Sequence, residues 1–106
     1  MFPEPRLDET IHALIRLRLC SLLRGVEEAD FKVIPSLLQI SDANLSKTIR
    51  DLVEAGYIET SKAPSPARDD ARRTTTVKLT SQGSQAFDGH IAALRIISDA
   101  VGSPNS

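Results

Sequence analysis

Residues 41–59, SDANLSKTIRDLVEAGYIE, contain an amphipathic helix that is followed at once by a strand pattern. Ser41 or Asp42 can accept hydrogen bonds from the first free amides of the helix, and Gly56 stands where a helix ends. These signals predict a helix over residues 43–55. Its apolar residues recur at the spacing of one helical face: Leu45, Ile49, Leu52 and Val53.

A shorter helix is predicted immediately before it, over residues 31–38, with Asp30 as a possible N-cap. Pro35 has no amide hydrogen to donate inside a helix, so this helix either bends at Pro35 or begins only there. Two amphipathic helices joined by about four residues are typical of a helix-turn-helix. The apolar residues of the shorter helix again share one face: Phe31, Ile34, Leu37 and Leu38.

Beyond Gly56 the pattern changes from helical to alternating. Residues 57–61 and 74–79 are typical of two β-strands. Between these strands lies the segment APSPARDDARR (63–73). It is too rich in proline and charge to be buried. Because residues 62–78 carry an excess of three positive charges, we expect a β-hairpin wing with an exposed basic loop.

Two longer amphipathic helices flank this unit, one over residues 8–24 and one from residue 80 or 81 to 101. Asp8 can cap the first of them, and Gly25 can end it in a left-handed turn. Their apolar stripes are wider than a single core contact needs, so we expect the two helices to form a homodimer interface. The residues predicted to lie there are Ile11, Leu14, Leu17, Ile91, Leu94 and Ile97.

The composition is that of one globular domain over residues 1–106, with flexible ends at 1–7 and 102–106. The chain is 41% hydrophobic and 25% charged, with a formal net charge of −1, which permits DNA binding without requiring it. No stretch reaches the roughly 18 continuous apolar residues of a membrane span, and the N-terminus lacks the regions of a signal peptide. We therefore expect a cytoplasmic protein with no membrane partner.

Three segments resemble the MarR/ArsR-like winged-helix transcriptional regulators. SDANLSKTIRDLVEAGYIE is similar to their recognition helix and first wing strand, and HALIRLRLCSLL (12–23) to their first helix. VKLTSQGSQAF (77–87) is similar to their return strand and the start of their dimerisation helix. The resemblance, closest to the small stand-alone winged-helix subfamily, covers residues 11–97. It implies an α+β winged helix-turn-helix that binds double-stranded DNA as a homodimer.

The sequence departs from the family pattern at three positions of the helix-turn-helix. Gln39 and Ala43 stand where the family often has glycine, and Pro35 is unusual in the second helix. A left-handed conformation at Gln39 would cost energy, because its side chain disfavours that region. These departures are expected to affect the turn rather than the fold.

The recognition helix and the wing supply the candidate DNA contacts. Asparagine can bind adenine, and arginine or lysine can bind guanine, in the major groove, whereas wing arginines suit the minor groove or flanking phosphates. The alternative is a solvated helix face, with wing arginines that pair with Asp69 and Asp70. The candidates are Ser41, Asn44, Ser46, Lys47, Thr48 and Arg50 on the helix, and Lys62, Arg68, Arg72 and Arg73 on the wing.

The remaining reactive side chains predict no further chemistry. Cys20 lies among leucines, which favours a small buried hydrophobic residue over a redox switch. His12 and His90 are far apart in sequence and lack accompanying ligands, so we expect no metal site, and we expect His12 to pack near the dimer interface. Because neither a catalytic constellation nor a phosphate-binding glycine loop is found, we expect no cofactor and no enzyme activity.

Taken together, these patterns favour a sequence-specific DNA-binding transcriptional regulator. We expect a repressor that binds a near-palindromic operator as a homodimer. One alternative stays open: a winged-helix protein–protein interaction module without physiological DNA binding. It is supported by the mixed charge of the recognition helix, where Asp51 and Glu54 lie beside Lys47 and Arg50.

Overall fold

The computed structural model describes residues 3–64 and 73–102. The three strands of this part form one antiparallel sheet, in which the last strand of the chain lies between the other two. No helix in the same residues is long and apolar enough to cross a membrane. The elements are α1 (Glu9–His12), α2 (Leu14–Arg24), β1 (Ala29–Asp30), α3 (Ile34–Leu38), α4 (Asp42–Glu54), β2 (Ile58–Pro64), β3 (Arg73–Leu79) and α5 (Ser81–Gly102).

The first amphipathic segment is two helices rather than the single helix predicted over residues 8–24. Ala13, with ψ at 131°, adopts an extended conformation that separates α1 from α2. The break leaves the Thr10 carbonyl without its usual helical partner, and the Arg16 side chain donates a hydrogen bond to it at 3.2 Å. Asp8 caps α1 as predicted, because its Oδ1 accepts a hydrogen bond from the Ile11 amide at 2.9 Å.

Two predictions about the ends of the early helices are wrong. Gly25 ends α2 in a right-handed conformation, with φ at −91°, and not in a left-handed turn. Asp30 is not the N-cap of α3, because its Oδ1 accepts a hydrogen bond from the Lys32 amide and its backbone pairs with Thr76 of β3. The strand pairing therefore determines the position of Asp30.

Helix α3 begins at Ile34, close to the second of the two alternatives that Pro35 left open. Pro35 lies in the first turn, where a missing amide hydrogen costs little. Gln39 ends the helix with φ at 57° and ψ at 51°, so the left-handed conformation falls on a residue with a side chain. Such a residue costs about 1–2 kcal/mol, which the surrounding helix-turn-helix must offset.

Helix α4 has the two caps that its sequence indicates. Ser41 is the N-cap, since its Oγ accepts a hydrogen bond from the Asn44 amide at 3.0 Å. At the other end Gly56 is left-handed, with φ at 81°. The amides of Gly56 and Tyr57 donate hydrogen bonds back to the carbonyls of the last turn, which is a Schellman motif. This motif directs the chain from α4 into the wing.

The wing is the hairpin of β2 and β3, which pair from Ile58 opposite Leu79 to Pro64 opposite Arg73. A third strand, β1, pairs with the other edge of β3. The sequence did not indicate β1, because a strand of two residues has no alternation to detect. The core between helices and sheet contains residues from every layer: Ile11, Leu19, Cys20, Leu23, Ile34, Leu38, Leu45, Ile49, Leu52, Ile58, Val77 and Phe87.

Candidate nucleic-acid interface

One face of α4 is buried in the core and the other carries exposed polar groups. Leu45, Ile49 and Leu52 are buried, and they fix the rotation of the helix about its own axis. Because Ser41 satisfies the Asn44 amide, the first turn of the helix is also held in place. The outward face presents Ser41, Asn44, Ser46, Lys47 and Arg50, all of them exposed.

Thr48 does not belong to this exposed face, and its predicted place among the DNA contacts is wrong. Its side chain is 5% exposed, and its hydroxyl donates a hydrogen bond to the Asn44 carbonyl at 2.8 Å. Thr48 lies three residues after Leu45 and four before Leu52, which is the spacing of the core face. That spacing was available in the sequence and assigns Thr48 to the core.

An ion-pair cluster beside the exposed face was not indicated by the sequence. Asp51 Oδ2 accepts a hydrogen bond from Arg16 of α2 at 3.0 Å and lies 3.5 Å from the Lys47 ammonium. The hydrogen bond from Arg16 is the main reason that the pKa of Asp51 lies below its usual value. The Asp51 carboxylate of α4 is therefore paired with two cations, Arg16 and Lys47.

The wing residues of the prediction are only partly within the described part of the chain. Lys62 is exposed on β2, opposite Thr75 of β3. Arg73 is the first residue of β3, while Arg68 and Arg72 lie outside the described residues. Closer to the core, Lys78 of β3 pairs with Glu59 of β2 at 3.2 Å.

A family model described as a winged helix DNA-binding domain matches residues 15–97. The chain belongs to this family. The match contains the whole helix-turn-helix, both wing strands and most of α5, so the predicted α+β winged-helix fold is confirmed. The family is one of DNA-binding domains rather than of enzymes.

Solved structures have the same winged-helix fold. A transcriptional regulator homologue from Pyrococcus horikoshii OT3 superposes with a TM-score of 0.79 at 24% identity, over 89% of each chain. Wild-type MarR from E. coli superposes with a TM-score of 0.66 at 18% identity, over 92% of this chain and 73% of that one. These two structures confirm the resemblance to MarR-like regulators at the level of the fold.

A sequence relative covers much of the same winged helix. An uncharacterized protein of Methanocaldococcus jannaschii is 30% identical over 80 residues, which make up 76% of this chain and 83% of the relative.

The flanking helices of this winged-helix protein leave apolar side chains uncovered. Leu14 is 67% exposed and Ile97 is 47% exposed, while Leu17, Ile91 and Leu94 are half-buried. Ile11 was predicted at the same interface, but it is 0% exposed inside the protomer core, so that assignment is wrong. The reason is the break at Ala13, which lets α1 turn Ile11 inward independently of α2. Two further large apolar residues outside the predicted set are exposed: Leu7 of the N-terminal segment and Ile96 of α5.

The cysteine and the two histidines lie where packing and hydrogen bonding explain them. Cys20 is 0% exposed, as the prediction of a small buried hydrophobic residue requires, and burial raises the pKa of its thiol to about 12. His12 and His90 are 78 residues apart in sequence, yet their rings are in contact. In the part of the chain that the structure describes, no group of three or more side chains could hold a metal ion.

Proposed function

We propose that this protein is a sequence-specific transcriptional regulator that inserts α4 into the major groove of double-stranded DNA. One observation carries the proposal. Helix α4 is fixed by its buried face and by two caps, and it presents Asn44, Ser46, Lys47 and Arg50 outward. A rigid helix with such a face meets the geometric demand of base readout, because the groove admits one helix and each base pair presents a distinct set of donors and acceptors.

Each exposed side chain has a chemical role in this proposal. Asn44 binds adenine through its amide, and Arg50 binds guanine through two parallel hydrogen bonds. Lys47 neutralises a phosphate or binds guanine, and Ser41 and Ser46 contact the backbone near the helix N-terminus, whose free amides favour an anion. The phosphate contacts position the helix, and the contacts with base edges provide the specificity.

The wing extends the contact surface along the duplex. We assign Lys62, Arg68, Arg72 and Arg73 to the flanking phosphates and the adjacent minor groove, where a narrow groove concentrates negative potential. Support comes from the exposed position of Lys62 on β2 and from the positive charge of the loop sequence. The Lys78–Glu59 pair lies nearer the base of the hairpin and is left out of this set.

We further propose a homodimer that represses transcription by occupying an operator. The exposed residues Leu14 and Ile97, with Leu17, Ile91 and Leu94 beside them, supply an apolar surface on α2 and α5 for a second copy. A two-fold axis there presents two copies of α4 to successive major grooves about 34 Å apart, which requires a near-palindromic site.

Selection from a pool of random duplexes tests specificity and symmetry together. We expect enrichment of an inverted repeat with half-sites about 10 base pairs apart, and two protein chains per duplex by light scattering. Leu14→Glu should give a monomer, while Leu37→Glu, which changes a comparably exposed leucine on α3, should stay dimeric. Failure to enrich any sequence would contradict specific readout, and a single half-site bound by one chain would contradict the dimer.

The rival function is a winged helix that binds another protein through the same face. The exposed Glu54 on α4 supports it, since an acidic group on the outward side disfavours phosphate. The neutralisation of Asp51 by Arg16 and Lys47 weighs against it, because it reduces the acidity of the same helix. A folded dimer that binds no duplex at low salt would favour this rival.

A further inference from the structure

The N-terminal segment, residues 3–8, is attached to α5 through backbone and histidine contacts. The Arg6 amide donates to the Gly89 carbonyl at 2.9 Å, and the Asp8 amide donates to His90 Nδ1 at 2.9 Å. The segment passes so close to α5 that a Cβ at Gly89 would lie 2.9 Å from the Glu4 carbonyl oxygen. This attachment therefore depends on a few polar contacts at short range.

A second histidine completes the contact. His12, the last residue of α1, places its Nδ1 3.3 Å from Nε2 of His90, with the two rings 72° apart in an edge-to-face arrangement. His90 is 1% exposed, whereas His12 is exposed. One buried ring thus connects to the Asp8 backbone on one side and to an exposed ring on the other.

The positions of the protons follow from the Asp8 contact. A backbone N–H can only donate, so His90 Nδ1 must accept and carries no proton. Neutral His90 then carries its proton on Nε2, and this N–H donates to Nδ1 of His12. The same assignment excludes a metal ion at His90 Nε2 while the contact stands, because that nitrogen has no free lone pair.

The pair has no site for an additional proton. A proton on Nδ1 of His90 would face the Asp8 amide, and a proton on Nδ1 of His12 would face the N–H of His90. Either arrangement places two donors against each other. Because His90 is buried, water cannot take over the lost hydrogen bond while the segment stays in place. Protonation of His90 therefore removes the acceptor of the Asp8 amide, and protonation of His12 leaves the buried Nε2–H of His90 without its acceptor. Either change weakens the attachment.

The groups around the two histidines do not favour a protonated His90. Burial, and then the neighbouring His12, lower the pKa of His90, while the Asp8 carboxylate acts in the opposite direction. Around Asp8, Cys20 of α2 and Tyr57 before β2 have pKa values raised to about 12, so both stay neutral at moderate pH. The segment and the start of α1 also contain the exposed charged residues Glu4, Arg6 and Glu9. Two ion pairs lie on neighbouring elements: Asp88 of α5 with Arg24 of α2, and Lys78 of β3 with Glu59 of β2.

We propose that the His12–His90 pair is a proton-sensitive contact that attaches residues 3–8 to α5 when both rings are neutral and releases them on protonation. The pKa of histidine in an unfolded chain is about 6.5, and burial lowers the pKa of His90 in the attached state, so the attached state loses stability as the pH falls below about 6.5. Release of residues 3–8 also removes Asp8 from the Tyr57 hydroxyl, which donates to its Oδ2. Tyr57 follows Gly56, the left-handed residue just after α4, so the contact that is lost lies next to the C-terminal cap of α4.

Amide hydrogen exchange on the purified protein tests the proposal without DNA. Between pH 7.5 and pH 5.5, we expect the Arg6 and Asp8 amides to lose protection, after correction for intrinsic exchange, by up to about tenfold for each pH unit below about 6.5. The Leu45 amide, which donates to the Ser41 carbonyl within α4, is the internal control and should stay protected. Unchanged protection of Arg6 and Asp8 at pH 5.5 would overturn the proposal.

Two substitutions separate the rings. His90→Asn keeps an acceptor for the Asp8 amide, but asparagine cannot titrate. In this variant the protection of the Arg6 and Asp8 amides should not depend on pH. His12→Asn keeps an acceptor for His90 Nε2 at an exposed position, and some pH dependence should remain because His90 still titrates. Imidazole nitrogen NMR of the wild type gives a readout that needs no variant: we expect His90 as the neutral Nε2–H tautomer at pH 7.5. A charged His90 or the Nδ1–H tautomer at that pH would also overturn the proposal.

Discussion

Arg16 of α2 donates a hydrogen bond from Nη2 to Oδ2 of Asp51 on α4, across 3.0 Å. From its other terminal nitrogen the same guanidinium donates to the Thr10 carbonyl of α1 at 3.2 Å. One planar group with several fixed donors can hold both acceptors at once, which a lysine ammonium does less well. Arg16 therefore connects the N-terminal helices to the helix that we propose enters the groove.

This connection predicts an effect on DNA binding from a residue that we do not place on DNA. Arg16→Met keeps the aliphatic stem but leaves the Asp51 carboxylate facing the phosphates with only Lys47 beside it. Because part-exposed ion pairs contribute little individually, we expect a modest loss of affinity, roughly threefold. Asp51→Asn loses the same ion pair but leaves no negative charge, so this variant should bind DNA more tightly than Arg16→Met. Fluorescence anisotropy measures both affinities, and tighter binding by Arg16→Met would contradict the role of Arg16 in neutralising Asp51.

Much of the fold could be predicted from the sequence because the deciding signals are local. The caps at Ser41 and Gly56 and the periodicity of residues 43–55 each involve a few neighbouring residues, and all of them are confirmed. The break at Ala13 could not be predicted, since no glycine or proline marks it. The extended geometry there accompanies tertiary contacts, namely the Asp8–His90 and Arg16–Asp51 hydrogen bonds.

The candidate site likewise contains features that local sequence predicts and contacts that it does not. The exposed side chains of α4 follow from helical spacing, and the same spacing, three residues after Leu45 and four before Leu52, places Thr48 on the buried face. The ion pair of Asp51 with Arg16 and the contact of His12 with His90 join residues far apart in the chain. A single sequence contains no signal for such pairs.

The N-cap of α4 should contribute measurably to stability. Ser41→Ala removes the acceptor of the Asn44 amide and should lower the free energy of unfolding by about 1 kcal/mol. For a chain of this size that corresponds to a fall in Tm of about 4–8 °C. Ser41→Asp keeps an acceptor and should stay close to wild type in the same thermal scan. Equal melting of the alanine and aspartate variants would show that the cap does not matter.

The left-handed residue in the turn offers a stabilising substitution. Gln39→Gly relieves the strain of its positive φ but adds freedom to the unfolded chain, for a net gain of about 0.5–1 kcal/mol. Gln39→Val should instead destabilise by about 1 kcal/mol, because a β-branched residue tolerates that conformation poorly. Urea denaturation measures both, and a glycine variant less stable than wild type would be inconsistent with the observed φ.

Cys20 should behave as a core residue and not as a reactive thiol. Its side chain is 0% exposed and its pKa is raised to about 12, so the nucleophilic thiolate is scarce at neutral pH. We expect the folded protein to react with a disulfide reagent at pH 8 only as fast as it opens, and the urea-unfolded protein to react at once. Rapid labelling of the folded protein would contradict this environment.

The salt dependence of binding to duplex DNA tests the central claim most directly. Each phosphate contact contributes about −0.9 to the slope of log affinity against log salt concentration, so the wild-type slope should be steep. Lys47→Ala should make the slope less steep by about 0.9, the contribution of one phosphate contact. Arg50→Ala should weaken the free energy of binding to the selected site by about 1–3 kcal/mol. Lys78→Ala is the control, because Lys78 is exposed, pairs with Glu59 near the base of the hairpin, and is outside the proposed contact set. We predict a steep slope that Lys78→Ala leaves unchanged, with losses in the two α4 variants. A folded protein that fails to bind at low salt, or α4 variants that bind like wild type, would contradict the account.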